Sequence, residues 1–198
     1  MHRFGCGLEP AAGHDSCFVP ERDSHKEGAM TYGTTFLAWA VLALALAVEA
    51  TGATGKAQEF VDRAVIAGLY EVQAAQVLVD KGKGADARAY AERMLEHHGK
   101  ANGEIASLAN QHELMVPSKL DARHQALITR LSRLVSPELE REYVTQQVAA
   151  HRAAITLFEA QAKSGTDPEV KAWAGGKLGM LREHLAEAEQ LEGPPVGN

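Results

Sequence analysis

Residues 147–191 read QVAAHRAAITLFEAQAKSGTDPEVKAWAGGKLGMLREHLAEAEQL. A short polar break, Ser164-Gly165-Thr166-Asp167-Pro168, separates two long runs. Apolar residues recur in each run at intervals of three and four: Val148, Ile155, Phe158 and Ala162 before the break, and Val170, Ala174, Leu181, Ala188 and Leu191 after it. That period is helical, whereas a half-buried strand would alternate. Gly165 stops the first helix, and Thr166-Asp167-Pro168-Glu169 supplies a cap followed by proline in the first turn of the second. Long helices joined by a tight turn pack antiparallel, so the class is all-α and the repeating unit is a helical hairpin.

The same signals recur upstream. The spacing predicts helices over 58–80 and 86–112, parted by Lys81-Gly82-Lys83-Gly84, a glycine stop with basic residues in the last turn. Pro117 then interrupts, and a shorter helix is expected over 120–134. Ser136-Pro137-Glu138 reads as a cap with proline at the first helical position of a helix over 137–163, and the last helix runs to Leu191, before Gly193-Pro194-Pro195. Four long helices therefore form two hairpins, and the long middle connection carries its own short helix. A ferritin-like antiparallel four-helix bundle needs such a crossover to return from one end to the other. An up-down-up-down path is the alternative, because sequence does not orient the connection.

Composition agrees and excludes several functions. Of 198 residues 45% are hydrophobic and only 6% aromatic, which suits an alanine-rich helical core better than a β-sandwich. A net charge of −6 argues against a protein that neutralises nucleic-acid phosphates. The chain shows no glycine-rich phosphate loop, no Ser–His–Asp arrangement and no aromatic–basic stripe.

The N-terminal residues are expected to stand apart from the bundle. Phe36 to Val48, FLAWAVLALALAV, is an apolar run about as long as the core of a secretory signal and short for a membrane span. Small-x-small cleavage patterns follow at Val48-Glu49-Ala50 and Thr51-Gly52-Ala53. Residues 30–53 thus read as a signal peptide or, alternatively, an uncleaved signal anchor, the only expected tie to a membrane. Either way the domain at 58–191 is periplasmic or secreted. Residues 1–29 read as a disordered extension or a start placed too far upstream, and 192–198 as a flexible tail. Both cysteines, Cys6 and Cys17, lie in that extension, so neither disulfides nor thiolate ligands are expected in the bundle.

Each long helix carries one metal-competent side chain where its stripe should be aliphatic. Glu71 follows Val61, Ala64 and Gly68; His98 follows Ala91 and Met94; His151 follows Val144 and Val148; His184 follows Leu181. Their heights match. Glu71 and His98 are symmetric about the first turn, and His151 and His184 about the last, at about 20 and 25 Å from those turns at roughly 1.5 Å per residue. Burying four polar groups at one level costs about 1–3 kcal/mol for each left unpaired. The expectation is a polar centre that binds a metal or small cofactor. Imidazole-rich donors suit Zn, Fe, Cu or Ni. A mutually bonded Glu–His network without ligand, in a non-catalytic cell-envelope or stress-related bundle, is the alternative. Lys177, also on a stripe, can snorkel outward. Glu159 reads as a salt-bridge partner, His97 as facing water, and His112 and His124 as exposed. A homodimer is compatible with this reading.

Phe60-Val61, YEVQAAQ (70–76), AYAERMLEHHGKAN (89–102), LDARHQAL (120–127), the block from Gln147 to Ala174 and LREHLAEAEQL (181–191) resemble the domain-of-unknown-function family 4142. The resemblance covers about 58–191. It implies an exported bacterial protein of the ferritin-like superfamily and no assigned activity. Its recurring polar positions fall on Glu71, His98, His151 and His184. Where the family often carries Asp before the helix-two histidine, this chain has His97. The superfamily's di-iron pattern would put Glu at 95 and 181, and both are Leu. One Glu and three His lack most of the bridges of a di-iron centre, which argues against ferroxidase or oxygenase chemistry.

Overall fold

A computed structural model describes residues 35–193, with side chains from residue 54 onward. The expected extension at 1–29 and the tail beyond 193 lie outside the described residues. The chain divides into two units between residues 40 and 41, and apart from the first residues of the first helix everything below concerns the second. Five helices follow one another, α1 (Thr35–Lys81), α2 (Ala85–Gln111), α3 (Ala122–Arg133), α4 (Glu138–Ser164) and α5 (Pro168–Glu192), with no strand among the described residues. Among those residues no helix is long and apolar enough to cross a membrane.

Boundaries match the apolar periodicity to within about two residues, except at the start of α1. The apolar periodicity begins the first helix at Gln58, yet α1 is continuous from Thr35. Alanine-rich sequence carries the helix through Gly52 and Gly55, each costing only about 1 kcal/mol relative to Ala.

The contacts at the helix ends fix the chain path. At one end Lys81 Nζ donates to the carbonyls of Ser132 and Leu134, joining the end of α1 to the end of α3. Glu140 of α4 accepts from the backbone N–H groups of Lys83 (2.7 Å) and Gly84 (3.0 Å) in the α1–α2 turn. At the other end Gln58 of α1 exchanges two hydrogen bonds with the backbone of Met115, just past α2. There His112 bridges Asp167 (2.7 Å) and Glu169 (3.1 Å) at the start of α5. The crossover therefore travels alongside α1 from Gln58 to Lys81, and α2 and α4 begin at the same end. His112 and His124 are half-buried rather than exposed, because each finds a carboxylate: Asp167 and Glu169 for the first, Asp121 at 2.8 Å for the second.

Two helix starts show what local capping signals do and do not determine. Asp167 caps α5 as expected, accepting from Glu169 N and Val170 N with Pro168 in the first turn. Pro137, in contrast, is itself the N-cap of α4, not its first helical residue, and no side chain caps that helix. Ser136 Oγ donates instead to Glu140 (2.6 Å), orienting the carboxylate that closes the neighbouring turn.

The apolar stripes meet in the interior as two clusters. One gathers Tyr70, Leu78, Met94, Leu131, Leu139 and Tyr143 with their neighbours. The other gathers Phe60, Val61, Ile105, Phe158, Val170 and Leu181 with theirs. On α2, α4 and α5 the buried histidine falls between the residues of one cluster and those of the other, and on α1 Glu71 follows Tyr70 at the edge of the first cluster.

Candidate metal centre

Glu71, His98, His151 and His184 are all buried, at 4%, 6%, 1% and 4% exposure. The reason is local. Each lies on the inward stripe of a helix whose neighbouring turns are held by apolar packing, so the side chain has no outward course. Gly68 helps to make room, because a Cβ there would stand 1.9 Å from Asn102 Oδ1, and only a hydrogen lets that amide lie against α1.

The three histidines converge. One ring nitrogen from each of His98, His151 and His184 lies within 4.8 Å of the other two. The rings of His98, His151 and His184 pack pairwise at 5.4 Å between centroids. His151 Nδ1 is 3.0 Å from the carbonyl of Gln147, one turn earlier in α4. A carbonyl can only accept, so Nδ1 carries the hydrogen and Nε2 turns its lone pair inward. That Nε2 stands 3.4 Å from Nδ1 of His184. Two nitrogens bound tetrahedrally at about 2.1 Å from one ion would be separated by about 3.4 Å. His98 Nε2 is buried with no hydrogen-bond partner. The donor set fits a transition metal ion.

His97 is a correction to the sequence reading. It is half-buried, and its ring stacks on His184 at 5.1 Å and 14°. Its Nδ1 is 2.8 Å from His184 Nε2, so His184 uses both nitrogens, one toward the triad and one toward His97. Metal-ligating histidines commonly bond their second nitrogen in this way. The available signal was the Asp that the family often carries at this position, a hint of an inward polar group.

Glu71 is brought to the centre but stands beside the triad, with Oε1 4.0 Å from His151 Nδ1. It is not one of the three groups whose donor atoms cluster, and its Oε2 is buried without a partner. Burial raises its carboxyl above the usual range, with the His151 imidazole pulling it part of the way back. Burial and the neighbouring imidazoles hold His98 well below its usual value. Burial, then His151, His97 and Arg93, lower His184 to about 3. His98 and His184 are thus held in the neutral form, the form that binds metal.

Other polar residues are engaged elsewhere. Glu159 pairs with Arg182 at 2.7 Å, as its distance from His151 along α4 suggested. Lys177 turns outward to Glu104, with its ammonium 5.7 Å from the Trp173 ring centroid. A separate cavity of about 350 Å³, reaching Arg63, Tyr70 and Arg123, is lined by none of Glu71, His98, His151 and His184.

Fold and site together define an all-α bundle protein with a buried imidazole centre. The chain belongs to the family described as Domain of unknown function (DUF4142), whose model matches residues 43–191. Among solved structures it is similar to a DUF305 fragment from Deinococcus radiodurans, with TM-score 0.63 and 14% identity over 70% of this chain and 95% of that one. It is also similar to a DUF305 protein from Streptomyces coelicolor, with TM-score 0.59 and 15% identity over 73% and 94%. At these identities the likeness is one of fold. No curated protein matches the sequence significantly.

Proposed function

We propose that this chain is an exported protein whose ferritin-like antiparallel four-helix bundle holds one transition metal ion through His98, His151 and His184. The observation that carries the reading is the convergence of three imidazole nitrogens, one from each buried ring, within 4.8 Å, beside a buried His98 Nε2 that has no protein partner. A buried orphan nitrogen costs about 1–3 kcal/mol, and a bundle built only for stability would use Leu at these positions. The ferritin-like path is supported by the crossover running alongside α1 and by α2 and α4 starting at one end, which an up-down-up-down path would not produce. A single ion is favoured over a carboxylate-bridged pair, since Glu71 is the only carboxylate among the described buried residues. Zn, Cu, Ni and Fe all suit imidazole donors. Export is supported by the apolar run at 36–48 and by the provisional description of the Streptomyces coelicolor neighbour as a secreted protein.

The test is metal analysis and thermal melting of tag-free protein purified from the periplasm. About one ion per chain is expected, with stabilisation of about 2.7 kcal/mol when free metal is a hundredfold above Kd. Chelation should reverse it, and His98→Ala with His151→Ala should abolish it. Wild type that takes up none of the four metals on titration sinks the proposal.

A further inference from the structure

Beside the triad lies a small cavity of about 30 Å³. Glu71, His98 and His151 line it, together with small residues such as Gly68 and Ala101 and larger ones such as Phe158 and Leu181. A buried water needs roughly 10–15 Å³ and two or more polar partners. The cavity therefore has room for one small molecule, and the polar partners are identifiable. Glu71 Oε2 and His98 Nε2, both on residues that border this space, are buried without a hydrogen-bond partner, the first free to bond a guest and the second to hold the ion that the guest would join. Half-buried Trp173 and Lys177 also line it and connect it toward the surface.

These observations bear on how the metal site is completed. Three protein nitrogens leave a tetrahedral ion one position short, and sites of that kind keep the last position for an exogenous group, whereas purely structural sites are closed by a fourth side chain. Glu71 is not among the clustered donors. Its Oε2, buried without a partner on the border of this cavity, is placed to hydrogen-bond a small guest.

We infer that the cavity bordered by Glu71, His98 and His151 is a binding site for one small exogenous donor, water or a small anion, which completes the three-histidine centre and is oriented by the Glu71 carboxyl. This inference rests on the metal reading above and adds that the centre is open, with Glu71 as a positioning residue rather than a ligand.

The experiment uses the full chain loaded with Co²⁺, whose visible bands report its coordination, and azide as the probe. Cobalt stoichiometry is measured first. Azide should then shift the bands saturably, at one azide per cobalt. Ala101→Leu, which fills the cavity without touching a donor atom, should keep cobalt and weaken azide by about ten-fold or more. Ala64→Val serves the same purpose should the larger side chain prevent folding. Glu71→Leu should also keep cobalt while losing azide affinity. Cobalt bound one-to-one with bands that azide does not move would overturn the inference and leave the metal reading standing. So would cavity-filled variants that bind azide like wild type, or a Glu71→Leu protein that no longer takes cobalt. A wild-type chain that binds no cobalt overturns this inference, and one that also takes up none of the four metals overturns the metal reading with it.

Discussion

His98 and His184 are the residues whose protonation is most tightly tied to folding. Both are held neutral by burial, His184 down to about 3. The unfolded chain takes up a proton at each near pH 6.5, while the folded chain does so only far lower. Their contribution is therefore fully present above about pH 6.5 and is lost as pH falls toward 3. Glu71 runs the other way: its raised carboxyl favours the fold below about 4.5, and that contribution is lost as pH rises through the folded value. Urea unfolding of chelated protein should accordingly show a loss of about 2 kcal/mol between pH 7 and pH 5, and a midpoint that is flat across that interval would mean that the rings are accessible to protons in the fold. The three histidines were legible because each interrupts an apolar stripe. His97 was not, because it lies beside the stripe and is drawn in only by a ring on a helix far along the chain.

At the scale of elements, the α1–α2 turn depends on α4. Glu140 would ordinarily be raised by its partial burial, but hydrogen bonds from Ser136 and the backbone of Gly84 and Lys83 hold it at about 2. A carboxylate at the start of a helix also complements the exposed N–H groups there, and α2 has no side-chain cap of its own. Glu140→Ala should cost about 2 kcal/mol near neutral pH, and Glu140→Gln should cost less. Hydrogen exchange at Lys83 and Gly84 should quicken in the Ala variant, and unchanged protection there would refute the clamp. Sequence signals placed α5's start correctly because Asp167 bonds to its own helix. They misplaced Pro137 because the capping group at that end serves a different helix. Such cross-helix capping leaves no local pattern to read.

For the molecule as a whole, the polar layer separates two apolar clusters that would otherwise form one continuous core. Replacing His98, His151 and His184 together by Leu should leave the metal-free bundle equally stable or more stable, by about 1–4 kcal/mol, while removing metal uptake. A triple variant that fails to fold without metal would show that the layer is needed for packing itself. The row of rings also has a direction. Gln147's carbonyl fixes the hydrogen of His151 on Nδ1, so in the metal-free chain His184 Nδ1–H points to His151 Nε2, and His97 Nδ1–H points to His184 Nε2. If the centre holds a cation as proposed, His184 would offer its Nδ1 lone pair, its hydrogen would move to Nε2, and the bond to His97 would reverse. The displaced hydrogen ends on the far nitrogen of His97, at the half-buried edge of the row, and none is expelled. Capture of a cation near neutral pH is then electrically local: it releases almost no protons to solvent, and its calorimetric heat should be the same in buffers of very different ionisation enthalpy.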